Sequence, residues 1–236
     1  GASDFLVAPC NKDAVAWIDA WPRWPAPLLV LHGPNGSGKT HLARVWCEKS
    51  GAILCPPSVL AEPDLRDLLS RHRCIAIEFD APAGPIADWE EPLFHLYNLA
   101  REMGGFLLVT APSAPVTWRI ALADLRSRIA AAPSVGIGMP DDALLGAILI
   151  KLFADRQIEI DAGVITFVVT RIERSFMAAQ MLVEQLDRAS LALRRRVTVP
   201  LARRVLEENA QSGTQFRPES ESGPEPGPGF SGSRPG

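Results

Sequence analysis

Chemistry is densest in the run Gly33-Pro34-Asn35-Gly36-Ser37-Gly38-Lys39-Thr40. It has the spacing G-x-x-x-x-G-K-[ST], preceded by apolar Leu28-Leu29-Val30-Leu31 and followed by the helix-like His41-Leu42-Ala43-Arg44-Val45-Trp46. A buried strand, a glycine turn and a helix start in that order make a phosphate-binding loop. Glycines let the chain curl so that successive N–H groups converge on phosphate oxygens, and the helix start adds partial positive charge. Lys39 then reaches the β- and γ-phosphates, and the Thr40 hydroxyl suits a magnesium ion. Pro34, Asn35, Gly36, Ser37, Gly38, Lys39, Thr40 and His41 are the expected nucleotide-binding residues, with ADP or ATP and Mg2+ as the ligands. A glycine turn carrying Lys and Thr by accident is the competing reading, and the flanking strand and helix weigh against it.

A magnesium site of this kind is completed by a carboxylate at the end of a neighbouring buried strand. Ile75-Ala76-Ile77-Glu78-Phe79-Asp80 is the best candidate. An active ATPase of this type needs two adjacent acids, one for the metal shell and one to orient water. If Glu78 takes the metal, Phe79 falls at the water-orienting position; if Asp80 does, Ala81 falls there. Glu78 is carried forward with Thr40 as the metal pair. Either register predicts secure binding and poor self-hydrolysis.

The elements that must hold these residues follow from hydrophobic periodicity. Leu28–Leu31, Gly51–Leu54, Cys74–Glu78, Phe106–Thr110 and Val135–Ile137 read as short buried strands separated by helical stretches. That alternation predicts an α/β fold, a parallel sheet covered by helices on both faces. After Met139-Pro140 the strands stop. Asp141-Asp142 caps a helix running to about Arg156, Asp161 starts another, Ser175 to Arg194 is a third and Leu201 to Asn209 a fourth, which predicts an all-helical unit. The boundaries are an N-terminal linker segment over 1–26, a nucleotide-binding core over 27–139, a helical lid over 140–210 and a Gly-, Pro-, Ser- and Glu-rich tail over 211–236 expected to be disordered. An apolar fraction of 47 % supplies a core without staples. Cys10, Cys47, Cys55 and Cys74 form no C-x-x-C pair and read as reduced thiols of a cytoplasmic protein. No run reaches membrane-spanning length. A net charge of -3 argues against bulk electrostatic coating of nucleic acid.

Beyond the phosphate loop, Leu93-Phe94-His95-Leu96-Tyr97-Asn98, Asp124-Leu125-Arg126-Ser127-Arg128 and Leu186-Asp187-Arg188-Ala189-Ser190 occur in an order that resembles AAA+ proteins of the DnaA type. The last run, continuing through Arg196-Val197-Thr198-Val199-Pro200, is most similar to the Hda group of regulatory inactivators. The resemblance covers residues 4 to 209. It implies a P-loop AAA+ core with an all-α lid, and it implies that Arg128 is an arginine finger reaching into a neighbour's nucleotide site. Arg126, two residues away, is read as structural or a rim contact. By the same resemblance Val7 and Asn11 border the adenine pocket. The segment Ala111-Pro112-Ser113 lacks the Asp or Asn of the family's first sensor. The second-sensor arginine aligns with Met177, leaving Arg174 one turn earlier as a substitute nucleotide ligand or the partner of a local bridge to Glu173.

The implied function is negative regulation of replication initiation: docking beside DnaA and stimulating hydrolysis of the ATP bound there, with weak hydrolysis of its own. DnaA is the implied partner, and self-association is consistent with the family. The sliding clamp joins only through a glutamine-led apolar peptide, which nothing before Asp4 resembles, so clamp binding rests on a segment upstream. The initiator's DNA-binding domain would begin where the polar tail stands, which favours the regulator. Arg194-Arg195-Arg196 with Arg203-Arg204 is basic but lacks an accompanying aromatic or groove-reading element, so no strong direct DNA binding is expected, and no membrane contact. Trp17, Trp21 and Trp24 are read as packing an N-terminal helix on the sheet in preference to stacking on adenine. The alternatives are a helicase-loader or clamp-loader-like binding module and a small P-loop kinase.

Overall fold

The computed structural model describes residues 6–79 and 87–211. Asp80, the stretch before Leu6 and the tail beyond Gln211 therefore lie outside the described residues. Five parallel strands, β1 (Leu28–His32), β2 (Ile53–Cys55), β3 (Cys74–Glu78), β4 (Phe106–Ala111) and β5 (Ser134–Gly136), make one sheet in the order β2-β3-β4-β1-β5. Helices α1 (Lys12–Ala20), α2 (Lys39–Ser50), α3 (Leu65–His72), α4 (Ala87–Met103) and α5 (Ala123–Ala131) cover it.

Side chains alternate across a strand, so each strand feeds two cores. Leu28, Val30, Ile75, Ile77, Leu107 and Val109 pack with α3, α4 and α5. Leu29, Leu31, Cys74, Ala76 and Leu108 pack with α1 and α2. Burial on both faces explains why these strands read as continuous apolar runs. The same period-two rule puts Glu78 on the α2 side and Phe79 on the α4 side.

The expected tryptophan packing is present. Trp24 stacks on Trp46 at 5.4 Å, Trp21 meets Trp46 edge-on at 6.3 Å, and the Trp24 indole N–H donates to the Trp17 carbonyl at 2.7 Å. These rings fasten α1 to the sheet.

The remaining helices, α6 (Asp142–Asp155), α7 (Ala162–Val169), α8 (Phe176–Leu193) and α9 (Val199–Gln211), enclose a core of their own around Leu149, Phe153, Val164, Val183 and Leu186. Asp141, Asp161 and Ser175 accept backbone N–H groups from Leu144, Gly163 and Ala178 at the starts of α6, α7 and α8. Each such cap is worth about 1 kcal/mol. The stretch ahead of β1 divides its contacts. Leu6, Ala8 and Cys10 lean on the helical core, while Ala14 and Ile18 of α1 join the sheet. Gly138 ties in by donating its N–H to the Cys10 carbonyl at 2.9 Å.

Candidate nucleotide-binding site

β1 delivers the chain at His32 into the glycine loop, and α2 begins at Lys39. Gly36 (φ 77°) and Gly38 (φ 101°) hold conformations that side chains resist. Both also lie against the start of α8. A Cβ on Gly36 would stand 2.5 Å from the Ser175 Cβ, and one on Gly38 would stand 3.3 Å from the Phe176 ring. Phe176 donates its N–H to the Gly36 carbonyl at 2.9 Å, so lid and loop are joined directly.

Lys39 is buried, its ammonium donating to the Gly33 carbonyl at 2.8 Å and the Pro34 carbonyl at 3.0 Å. The Thr40 hydroxyl donates to the Glu78 carboxylate, which brings together the two residues expected at a magnesium ion. A groove lined by Leu54, Cys55 and Pro56 opens beside Glu78. Burial pushes the His32 imidazole below its ordinary range, keeping it neutral beside the loop at physiological pH.

Thr110 lies between loop and carboxylate, register partner of Leu31 on one side and Glu78 on the other. Its hydroxyl and that of Ser37 are fully buried, with no hydrogen-bond partner among the described residues. Buried polar groups are normally satisfied. Two orphaned hydroxyls, a cationic donor and a Thr–carboxylate pair on one sheet edge fit an incoming phosphate chain. Magnesium commonly takes one or two protein oxygens and completes its shell with water and phosphate, which Thr40 and Glu78 suit. Among the described residues no group of three or more His, Cys, Asp or Glu is arranged to hold a metal by itself. In the sequence, the signal for Thr110 is its place two residues along β4 from Leu108, which puts both on one face of the strand.

Other expected residues stand apart. Asn11 is buried, but its amide donates to the Leu6 carbonyl at 2.9 Å and its carbonyl accepts the Ala8 N–H at 2.8 Å. The side chain builds its own turn, leaving backbone as its means of contacting a base. Val7 is 63 % exposed on that turn, and Pro34, Asn35 and His41 are exposed on the loop's outer side. Arg174 pairs with Asp142, Nε to Oδ1 at 2.9 Å, where the expected local partner was Glu173. The starts of α6 and α8 lie side by side, a proximity that local sequence does not carry. Both groups are exposed, so the pair adds little stability.

Phe79, the residue after Glu78 where a hydrolytic pair would have its second acid, buries its ring on the opposite face, edge-on to Trp89 at 5.2 Å. Period-two alternation turns it there, and its N–H donates to the Thr110 carbonyl at 2.9 Å.

Arg128, on α5, is exposed, with its guanidinium 6.0 Å from the centre of the Tyr97 ring. Arg126, exposed as well, donates to the Ile120 carbonyl at 3.1 Å, a local structural contact. In the basic cluster, Arg196 lies 3.7 Å from Glu159 and Arg204 lies 3.3 Å from Glu208, which offsets part of its charge.

Residues 142–206 match the family profile described as Hda, lid domain. Domain III of the replication initiation protein DnaA from Thermotoga maritima superposes with a TM-score of 0.73 at 17% identity, covering 88% of this chain and 95% of that one. AMPPCP-bound DnaA from Aquifex aeolicus superposes with a TM-score of 0.71 at 14% identity, covering 89% of this chain and 69% of that one. An uncharacterized protein of Haemophilus influenzae is 25% identical over 189 residues, 76% of this chain and 81% of its own length. The fold is the AAA+ fold of the DnaA structures, as the motif order implied. Its core superposes on DnaA structures, and residues 142–206 are similar to the lid domain of Hda. Among the described residues no helix is long and apolar enough to cross a membrane.

Proposed function

We propose that this protein is a cytoplasmic, nucleotide-held regulator of replication initiation that docks beside ATP-bound DnaA and presents Arg128 to the triphosphate there. The observation that carries the reading is an exposed arginine on α5 of a chain whose lid is Hda-like. A guanidinium stays protonated at any physiological pH and meets phosphate oxygens with a planar fork of donors. Placed at the transferring phosphoryl group, it offsets charge that grows in the transition state, an effect worth about 10³–10⁵ in rate in other NTPases. Water attacks the γ-phosphorus in the partner, which is left with ADP.

In its own site, Thr40 and Glu78 would hold Mg2+ while Lys39 and the loop amides bind phosphate. A bound ADP or ATP supplies anionic charge beside both loop and lid. Its own turnover is slow on this reading. Phe79 turns away from Glu78, Ala111-Pro112 offers no acid, and Met177 replaces a cationic γ-phosphate ligand. Clamp binding would rest on a glutamine-led apolar peptide upstream of Gly1.

The test is Arg128→Ala, assayed for hydrolysis of DnaA-bound ATP with clamp and DNA present. A fall of about 10³-fold is expected; unchanged turnover removes the finger role. A pull-down against DnaA, replicative helicase and clamp separates this reading from a helicase- or clamp-loading module.

A further inference from the structure

We infer that Glu90, on α4, is the positioning residue of the arginine finger, an assignment that rests on the reading above. Glu90 is 5 % exposed, and among the described residues it has no salt-bridge partner. Its Oε1 accepts the Ala121 N–H at 3.0 Å and its Oε2 the Leu122 N–H at 2.7 Å. A buried carboxylate is costly unless both oxygens are engaged, and bonds to backbone amides at a helix start are the strong, charge-assisted kind. Leu122 is the N-cap residue of α5 and makes no side-chain cap of its own. Glu90 therefore holds, from another helix, the two amides that lead the chain into α5.

This arrangement governs where Arg128 points. Leu125 and Ile129 bury the inner face of α5, but apolar contact is non-directional and leaves rotation and sliding soft. Two directional bonds at the helix start fix both, less than two turns before Arg128. Tyr97, two turns along α4 from Glu90, lies under the guanidinium at 6.0 Å. One helix thus grips the finger element at its origin and steadies its tip. Trp89, beside Glu90, meets Trp118 edge-on at 6.4 Å and braces the chain entering α5. A carboxylate suits this place because both of its oxygens accept a backbone N–H, which a Gln side chain with one acceptor oxygen cannot reproduce.

The experiment compares Glu90→Gln, Glu90→Ala, Arg128→Ala and the double variant Glu90→Gln/Arg128→Ala in the full chain. It measures the maximal rate of DnaA-bound ATP hydrolysis, the half-saturating concentration of this protein, and its own affinity for ADP. Glu90→Gln retains one acceptor and should lower the maximal rate about 10-fold; Glu90→Ala should lower it about 100-fold, the scale of a misplacement near 1 Å. ADP affinity and half-saturation should stay within about twofold. In the Arg128→Ala background, Glu90→Gln should add no further loss. If Glu90→Ala fails to fold, Glu90→Gln and the double variant carry the result. A wild-type maximal rate for Glu90→Gln, a loss that persists without Arg128, or a loss matched by weaker ADP binding each overturns the assignment while leaving the finger in place. An Arg128→Ala protein that still stimulates fully overturns the finger and this assignment together.

Discussion

Substituting Gly36 with Ala should pry the lid from the phosphate loop. The residue sits at φ 77°, where a side chain costs about 1–2 kcal/mol. The new methyl would stand 2.5 Å from the Ser175 Cβ, so one of the two backbones has to shift by about 1 Å to restore contact distance. That shift stretches the bond from the Phe176 N–H to the Gly36 carbonyl, now 2.9 Å, for a further loss of about 1 kcal/mol. The sum is about 2–3 kcal/mol, concentrated at the junction of sheet and lid. All six tryptophans precede Pro140, so fluorescence follows the sheet domain, whereas circular dichroism is dominated by helices that include the lid. In a urea titration of Gly36→Ala, the dichroism transition should move ahead of the fluorescence transition, and ADP binding should weaken at least tenfold. Coincident transitions at the wild-type midpoint with unchanged ADP affinity would refute this argument, because the lid would then not bear on the loop as described.

Two further outcomes follow from single residues. Met177 is 47 % exposed at the start of α8, one residue past the Phe176 that touches the loop; Met177→Arg should raise the preference for ATP over ADP about tenfold in competition binding, and an unchanged ratio counts against its sensor position. Burial, reinforced by Cys55, Cys74 and Glu48, raises the Cys47 thiol from 9.0 to about 11. The folded state then holds its proton more tightly than the unfolded state, so this contribution to stability is full below pH 9.0 and is lost as pH climbs toward about 11. Cys47 should resist alkylation at pH 8 until the chain unfolds, and rapid labelling of native protein would contradict its placement.

Much of the α/β layout was legible because its strands are short apolar runs bracketed by turns, and the phosphate loop declares itself by type and spacing. Asp141 was readable as a cap because capping is local chemistry between a side chain and amides two or three positions on; Asp161 and Ser175 marked the next two helix starts, and the structure shows that they cap them in the same way. The Arg174–Asp142 pair spans 32 positions and Glu90 meets amides 31 and 32 positions away, so neither has a signature in local spacing. The packing of Phe79 was hidden for a different reason. Its place in the motif says that no acid follows Glu78, while the pleat of β3 decides which layer receives the ring. Thr110 follows the same pleat to the other side, where it adjoins Glu78.

The contacts of Leu6, Ala8 and Cys10 have a mechanical consequence. Because they lean on the helical cap before the chain turns into α1, tension applied to the backbone ahead of them is felt there first and by the sheet only afterwards. A tether fastened upstream would therefore act as a short lever on the cap, whichever partner holds the far end.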